Sequence, residues 1–443
     1  MPDREPLIAP AVYAARLDRL RVRAEERRYT HLVVYGDREH SANLAWLTGF
    51  DPRFEEAIAI VRPGIQPLIL AGNECYGTAG AAPLPVRREL YQDLSLSGQP
   101  RDRSRTLGTI LGDEGIGPGA HVGVIGWKSF ADRSRIEVPA YLADELRRLT
   151  AANGVVENAN DLLTDPDGGL RTVAEVDQLA AQEYAACQTS DGIRRLFAGL
   201  RPGMTEREAV RLLAWNGMPL SCHLMLTAGP RARFGLVSPG DRPIGRGDPF
   251  TVAFGVWGAL DCRAGFVVED ARELPVGISD YVERLVAPYF EAIAAWYGAL
   301  RVGATGGDAY AAAMARLGDP FFGIFLNPGH LIGLDEWIDS PFYAGSMVEL
   351  RSGMALQCDV IPATGTDYFT TNIEDGIALA DATLRAEFAQ AHPGAWARIQ
   401  ARRRFMRESL GLELHEDVLP LSNLAAHLPP FLLRPDLAMT LAG

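Results

Sequence analysis

Hydrophobic positions form two different patterns along the first part of the chain. Continuous apolar runs, typical of buried strands, occur in HLVVYG (31–36), AIAIVR (57–62), PLILAG (67–72) and HVGVIGW (121–127). Apolar residues with helical spacing occur at 11–28 and 138–149. The pattern predicts an N-terminal α/β domain over residues 1–165, which ends at the turn-forming segment TDPDGGL (164–170).

The middle of the chain repeats itself with a spacing of 100 residues. A helical pattern over 173–200 leads into RPGMTEREA, and a second one over 281–300 leads into RVGATGGDA. The matching positions are Arg201 and Arg301, Gly203 and Gly303, and Thr205 and Thr305. Each threonine is suited to cap a helix. A strand with a histidine follows each copy, His223 in the first and His330 in the second, so we expect two duplicated halves with both histidines facing the cleft between them.

The pattern changes again over residues 385–443. The basic stretch RIQARRRFMR (398–407) is interpreted as the solvated face of a helix. The following segment, VLPLSNLAAHLPPFLLRPDLAM, contains too many prolines to form one regular element. We expect this extension to lie over the preceding domain or over a partner subunit.

Composition narrows the class of protein. The chain has 443 residues, which suggests two domains, and its 47% hydrophobic and 22% charged residues are ordinary for a soluble protein. No apolar stretch is long enough for a membrane span, and MPDREPLIAP lacks the apolar core of a signal peptide, so we expect a cytoplasmic protein. A net charge of −13 without a concentrated basic run argues against a nucleic-acid partner. Five cysteines without CxxC spacing argue against a disulfide framework.

Polar residues interrupt four apolar, strand-like segments between positions 220 and 376. They are His223 in SCHLMLTAG, His330 in NPGHLIGL, Asp359 in MALQCDVI and Glu374 in TNIEDGIAL. An imidazole or a carboxylate is expensive to bury unless another group pairs with it. Four such residues in one region therefore predict a shared pocket.

The duplicated halves, the histidine pair, the final IEDG and the segment WLTGFDPRFEEA (46–57) together resemble the pita-bread family. That family includes methionine aminopeptidase, aminopeptidase P and creatinase. The resemblance implies an α/β N-terminal creatinase-like domain over 1–165 and an α+β pita-bread catalytic domain with an internal pseudo-twofold duplication over 171–384. The C-terminal helical and Pro-rich extension would follow over 385–443.

The resemblance also shows which metal ligands are missing. The family's metallopeptidases hold two metals with two aspartates, one histidine and two glutamates. Here Ala253 and Ala264 stand at the two aspartate positions. The other three ligand positions are occupied by His330, Asp359 and Glu374. A methyl group donates nothing to a cation, so we expect no metal and no cofactor, although a mononuclear site completed by Asp261 stays open.

Creatinase has this fold, uses no metal and hydrolyses a C–N bond. The resemblance makes His223 the match of its catalytic histidine, so we expect a proton shuttle there; the alternative is a structural histidine. Asp359 and Glu374 would hold a cationic amidinium, guanidinium or ammonium group of the substrate. His330 would polarise the scissile group or orient water.

The N-terminal domain of creatinase supplies an aromatic residue and an arginine to the neighbouring subunit's site. Phe50, Arg53 and Phe54 occupy a similar stretch here. Arg53 would clamp a substrate carboxylate or pair with Glu55 or Glu56 instead. If it reaches a neighbour's pocket, the functional unit is a homodimer.

Two further residues are assigned to substrate binding. Trp337 replaces a histidine that usually follows the metal histidine, and Asp261 either lines the pocket or pairs across strands. The sequence thus predicts a metal-independent, creatinase-like hydrolase of a C–N bond in a small amidine, guanidine or cyclic amide carrying a carboxylate. The alternatives are a non-catalytic pita-bread binding protein and a metal-dependent Xaa-Pro peptidase with a rebuilt site. Lyase chemistry on the same scaffold also stays open.

Overall fold

The structure, a computed structural model, describes residue 2 and residues 4–441. Contacts divide the chain into two compact units. One is Ile8–Arg171, and the other is the chain from Thr172 onward together with the N-terminal segment up to Leu7. The residues after 384 are not separated from the second unit, so a subdivision at 384 stays a prediction. Among the described residues, no helix has the length and apolar character needed to cross a bilayer.

The first unit is built on a mixed six-stranded sheet. Its strands are β1 (His31–Gly36), β2 (Ala57–Arg62), β3 (Ile65–Ala71), β4 (Arg87–Leu90), β5 (His121–Ile125) and β6 (Val155–Asn158). Its helices are α1 (Pro10–Glu26), α2 (Ala42–Thr48), α3 (Cys75–Thr78), α4 (Leu107–Asp113), α5 (Ala140–Thr150) and α6 (Asp161–Thr164). The order across the sheet is β4-β3-β2-β1-β5-β6. All of β1 is buried, as its continuous apolar run predicts, and the α/β prediction for this unit is confirmed.

The second unit is built on an antiparallel sheet. Its strands are β7 (Met225–Ala228), β8 (Pro249–Val256), β9 (Ala259–Phe266), β10 (His330–Leu331), β11 (Ala355–Val360), β12 (Asn372–Leu379) and β13 (Val418–Pro420). Its helices are α7 (Val176–Gly199), α8 (Glu206–Arg211), α9 (Ala287–Ala299), α10 (Gly306–Leu317), α11 (Ala382–Ala391) and α12 (Pro393–Arg404). The order is β10-β11-β12-β9-β8-β7, and β13 pairs with the end of β12. This is the α+β architecture that the sequence predicts.

Short helical turns complete both units. Turns of the 3-10 type lie at Ala79–Ala81, Gln92–Leu94, Ala151–Asn153, Gly229–Phe234, Ala271–Glu273 and Pro320–Phe322. A π-helical turn at Val282–Val286 precedes α9, and a second one at Phe405–Ser409 follows α12.

The two duplicated helix pairs start their second helices in the same way. Thr205 Oγ1 accepts a hydrogen bond from the backbone N–H of Glu208 at 3.2 Å, and Thr305 Oγ1 accepts one from that of Asp308 at 3.2 Å. Each acidic side chain accepts a bond from the threonine N–H in return, at 2.8 and 2.9 Å. These reciprocal caps stabilise both helix starts, and the prediction of N-capping threonines is confirmed.

The strand predicted around His223 begins later than expected. β7 starts at Met225, and His223 lies with an exposed side chain in the irregular segment before it. Ser221 occupies the space over Gly255, where an added Cβ would lie 2.4 Å from Ser221 Oγ. The segment keeps a backbone hydrogen bond to β8, from Ser221 N–H to Gly255 O at 3.4 Å, but it is irregular at His223, and the strand assignment of His223 is wrong.

A buried ion pair holds the C-terminal segment against the sheet. Arg263 donates hydrogen bonds to both carboxylate oxygens of Asp375, at 2.8 and 3.1 Å. It also donates to the carbonyl oxygens of Leu424 at 2.7 Å and His427 at 3.0 Å. Asp375 accepts a further bond from the N–H of Ala426 at 2.8 Å. The Pro-rich segment is thus irregular but fixed by a charged, fully bonded network.

The basic stretch near residue 400 differs from its interpretation as a solvated helix face. Arg398 and Arg402 of α12 both form ion pairs with Glu183 of α7, at 2.6 and 2.7 Å. Arg403 is buried and donates to the carbonyl of His415 at 3.0 Å. Because Glu183 is buried, its charge requires Arg398 and Arg402 as cationic partners. Of the arginines in the stretch, only Arg404 and Arg407 are exposed, as the interpretation expected.

Candidate active site

Four residues from four adjacent strands form one row across the sheet. Ala253 on β8 pairs with Cys262 on β9, Cys262 pairs with Glu374 on β12, and Glu374 pairs with Asp359 on β11. Directly paired residues present their side chains to the same face of a sheet. Asp359 and Glu374 therefore lie side by side, as the sequence predicts, and Ala253 belongs to the same row.

His330 on β10 completes the polar cluster. Its ring is fully buried, and its Nε2 atom lies 3.6 Å from Glu374 Oε1 and 3.9 Å from Asp359 Oδ2. The other ring nitrogen, Nδ1, lies 3.2 Å from the carbonyl oxygen of Leu331. A carbonyl only accepts, so Nδ1 carries the hydrogen and the Nε2 of the neutral ring is an acceptor. Within the described chain, neither this Nε2 nor Asp359 Oδ1 has a hydrogen-bond partner.

Burial and repulsion by neighbouring carboxylates raise the pKa of both carboxyl groups. For Asp359, loss of hydration is the larger cause and repulsion by Glu374 the next, and its pKa lies well above the usual range. The pKa of Glu374 rises to about 8, first through burial and then through the carboxylate of Glu336. Burial also raises the pKa of the Cys262 thiol, with Glu374 as the next cause. The cluster therefore holds protons near neutral pH unless a cation replaces them.

The two alanines decide which metal site these residues can form. Ala253 lies in the row described above, and Ala264 lies in the next row, paired with Asn372. The side chains of Ala253 and Ala264 have no oxygen atom to coordinate a metal. A bridged pair of divalent cations would therefore lack two of its carboxylate ligands. The dinuclear centre that the resemblance implies does not fit this chain. One ion remains possible, because ligand atoms within 4.8 Å of one another are offered by His330, Asp359 and Glu374.

Trp337 belongs to the cluster. Its ring stacks on the ring of His330, with centroids 4.1 Å apart and an interplanar angle of 20°. The loop that carries it is closed by hydrogen bonds from Leu331 N–H to Asp339 O at 2.7 Å and from Ile338 N–H to Leu331 O at 2.9 Å. The structure therefore brings the predicted residues His330, Trp337, Asp359 and Glu374 together.

Asp261 does not join them. Successive residues of a strand face opposite sides, so Asp261 lies on the face of β9 opposite to Cys262. It is fully buried and accepts hydrogen bonds from Thr189 Oγ1 at 2.5 Å and from Ser422 Oγ at 2.6 Å. Both of its oxygens have partners, and burial followed by repulsion from Asp375 raises its pKa well above the usual range. The expectation that Asp261 binds substrate or completes a metal site is wrong.

His223 is placed apart from these buried groups, on the loop before β7. Its Nε2 lies 2.9 Å from the carbonyl oxygen of Leu236. Nε2 therefore carries the hydrogen, and the Nδ1 of the neutral ring is an acceptor. Burial, followed by the charges of Glu336 and Glu374, raises the pKa of the neighbouring Cys222 thiol to about 12. The role of His223 as a proton shuttle stays a prediction.

The predicted substrate residues of the first unit differ in accessibility. Phe50 is only 3% exposed, so it packs in the core of its own unit and is not free to contact a substrate. Arg53 is exposed and pairs with Asp51 at 3.4 Å, which replaces the pairing with Glu55 or Glu56 that the sequence left open. Phe54 is half exposed. Arg53 and Phe54 stay predictions.

Sequence reasoning missed three polar residues around the cluster. Gln357 and Asn372 are two positions before Asp359 and Glu374 and share their sheet face. Gln357 Oε1 and Asn372 Oδ1 are buried without a hydrogen-bond partner in the described chain. The period of two along each strand was the signal that would have found them. The third residue is Glu336, next to Trp337.

Comparisons with known proteins agree with this architecture. Residues 181–384 match the family model of Metallopeptidase family M24. No curated protein sequence matches the chain significantly. This match lies within the second unit and agrees with the pita-bread resemblance that the sequence motifs carry.

Solved structures of this fold cover most of the chain. Dipeptidase PepE from Mycobacterium ulcerans is 20% identical over 84% of this chain and 94% of its own, with a TM-score of 0.63. The prolidase from Pyrococcus horikoshii OT3 is 14% identical over 83% and 95%, with a TM-score of 0.64. Recombinant prolidase from Thermococcus sibiricus is 16% identical over 93% and 97%, with a TM-score of 0.67. At these identities the likeness establishes the fold alone.

Proposed function

We propose that this chain is a hydrolase of a C–N bond in a small amidine, guanidine or cyclic amide that carries a carboxylate, and that it works without a dinuclear metal centre. The observation that carries the proposal is the unpartnered Nε2 of His330, buried 3.6 and 3.9 Å from two carboxylates. Buried polar atoms without partners are rare in native proteins. These atoms therefore point to a ligand that supplies hydrogen-bond donors and positive charge.

The charge balance of the cluster supports a cationic substrate group. The charged groups that influence the pKa of Asp359 are Glu374, His330 and Glu336, and no described arginine or lysine is among them. Gln357 Oε1 adds a further free acceptor on the same face. An amidinium or guanidinium group carries a positive charge and several N–H donors, so it forms charge-assisted hydrogen bonds with such a surface.

We assign the proton transfers to His223. Imidazole is the side chain that exchanges protons most readily near neutral pH. With its Nε2–H bonded to Leu236 O, the Nδ1 atom is the available base. It would take a proton from water as the water oxygen bonds to the substrate carbon, and return it to the nitrogen as the C–N bond breaks. One water is consumed, and an amine or amide is released.

The functional unit of this proposal is a homodimer. Arg53, exposed in the first unit, would bind the carboxylate of a substrate held in the neighbouring subunit's pocket. Phe54 would cover the substrate beside it. This arrangement rests on the resemblance to creatinase.

A metal-dependent Xaa-Pro peptidase is the second candidate. It is favoured by the three ligand atoms that lie within 4.8 Å of one another and by the solved structures named prolidase and Xaa-Pro dipeptidase. Three protein ligands and a water are a set that single catalytic ions use. Xaa-Pro dipeptides and metal supplementation therefore belong in the same assay.

The proposal is tested by assaying released amine with guanidino acids, amidines, cyclic amides and Xaa-Pro dipeptides. His223→Ala is expected to lower kcat by about 10²-fold or more, and added imidazole should restore part of it. The melting temperature should not change, because His223 is exposed. Unchanged turnover in the variant would refute the role of His223. Turnover of Xaa-Pro dipeptides alone, dependent on added metal, would favour the second candidate.

A further inference from the structure

We infer that Glu336 is a specificity-determining residue of this pocket, which binds a second N–H edge of the substrate cation and thereby selects a planar guanidinium or amidinium over an ammonium group. The inference rests on the proposed function and narrows its substrate class. Glu336 lies outside the motifs GHLIGL and IEDG. It has no role in the mechanism proposed for the cluster.

The fold fixes Glu336 beside the cluster. It lies in the short loop after β10, which two main-chain hydrogen bonds of Leu331 close at 2.7 and 2.9 Å. The next residue, Trp337, stacks on His330. The loop is therefore anchored at its base by the backbone and at its tip by an aromatic ring. A side chain on a loop that is anchored in this way loses little additional freedom when it binds a ligand.

Glu336 is partly buried and has no partner. In the described part of the chain its carboxylate forms no hydrogen bond and no ion pair. Its charge nevertheless reaches the cluster, because it contributes to the raised pKa of Asp359, Glu374 and Cys222. A partly desolvated carboxylate that repels two others is unfavourable unless a donor satisfies it. Among the described residues no protein donor does so, and the N–H groups of a substrate cation would.

The geometry of the ligand's donors follows from the arrangement of the acceptors. Asp359 and Glu374 lie side by side on the sheet face, whereas Glu336 lies on the loop after β10. A guanidinium presents N–H groups along several edges of one plane, and an amidinium along two. An alkylammonium presents three donors from a single point. A planar cation can therefore bind the paired carboxylates with one edge and Glu336 with another.

The test measures the affinity of methylguanidine, acetamidine and methylamine by calorimetry for the wild type and for Glu336→Gln. This substitution removes the charge and retains the shape. We expect the substitution to weaken the affinity for methylguanidine and acetamidine by about tenfold or more, and the affinity for methylamine by about twofold or less. Asp335→Asn is the matched control, since it removes one carboxylate from the same loop, and it should leave all three affinities within about twofold. Melting curves confirm that each variant is folded.

The outcomes separate this inference from the proposed function. If Glu374→Gln abolishes binding of methylguanidine while Glu336→Gln leaves it unchanged, the cation site stands and the role of Glu336 is refuted. Equal losses for methylguanidine and methylamine in Glu336→Gln would also refute the selection of planar cations. If the wild type binds none of the three probes, the proposed function fails and the role of Glu336 fails with it.

Discussion

The Nε2 atom of His330 lies 3.6 Å from Glu374 Oε1, and no hydrogen bond joins them. Both groups are buried, and Glu374 is directly paired with Asp359 on the neighbouring strand. The imidazole nitrogen and the two carboxylates thus lie together, and among the described residues neither His330 Nε2 nor Asp359 Oδ1 has a hydrogen-bond partner. A cation bound there would interact with all three groups at once.

Binding of a cation is expected to strengthen as the pH rises toward 8. The pKa of Glu374 is raised to about 8, so below that pH its carboxyl group is protonated and a cation must displace the proton. The apparent affinity for methylguanidine, measured by calorimetry, should rise by up to tenfold per pH unit below about pH 8 and level off above it. Methylguanidine itself stays charged throughout this range.

The control for this pH dependence is Glu374→Gln, which cannot ionise. It should bind methylguanidine weakly, with an affinity that changes less with pH than in the wild type. An affinity of the wild type that falls as the pH rises would show that the carboxyl groups of the cluster do not hold the cation.

Restoring the two missing carboxylates is expected to restore metal binding. Ala253→Asp and Ala264→Asp together would place two carboxylates in the rows of Glu374 and Asn372. Four carboxylates and His330 could then hold two divalent ions. Added Mn²⁺ should raise the melting temperature of the double variant strongly, because ligand binding to the folded state alone stabilises it. Each single variant is the control, and Mn²⁺ should raise its melting temperature less. If Mn²⁺ does not raise the melting temperature of the double variant, residues 253 and 264 are not the positions of the missing metal ligands.

Two inactive variants are expected to complement each other if the site is shared between subunits. Arg53→Ala and His223→Ala would each lack one component of the same site. In a mixed dimer, one pocket would receive both defects and the other would be intact. Unfolding and refolding an equimolar mixture should therefore recover about a quarter of the wild-type activity. Activity no higher than that of either variant alone would show that Arg53 does not act across a dimer.

The contribution of His427 to stability is expected to fall as the pH drops from about 6.5 to about 4. Burial and then the charge of Arg263 lower the pKa of His427 to about 4. In this range the unfolded state binds a proton at residue 427 and the folded state does not, so acid favours unfolding by up to about 3 kcal/mol. Urea unfolding should show a smaller loss for His427→Gln than for the wild type. Parallel pH profiles for the two proteins would contradict this assignment.

The sequence was sufficient to predict the cluster because its members interrupt apolar runs. His330, Asp359 and Glu374 lie in buried, largely apolar strands, and antiparallel register pairs Asp359 with Glu374. The period of two along a strand would also have excluded Asp261, because it has the opposite parity to Ala264 on β9.

Other features depended on contacts between distant parts of the chain. The irregular segment that carries His223 is held against β8 by the contact of Ser221 with Gly255, which no local pattern specifies. The burial of Arg402 depends on Glu183, 219 positions earlier in the chain. A basic helix face is interpreted as solvated unless its buried acidic partner is known. Local patterns predicted the strands and the caps, and tertiary contacts decided the remaining placements.

Elemental analysis of the purified wild-type protein tests the absence of a dinuclear centre most directly. The protein should be purified without chelators, incubated with excess Mn²⁺, Zn²⁺ and Fe²⁺ in turn, and freed of unbound metal before the metal content per chain is measured. Because Ala253 and Ala264 donate no oxygen, we predict at most one bound equivalent of each ion. Two bound equivalents per chain would contradict the account.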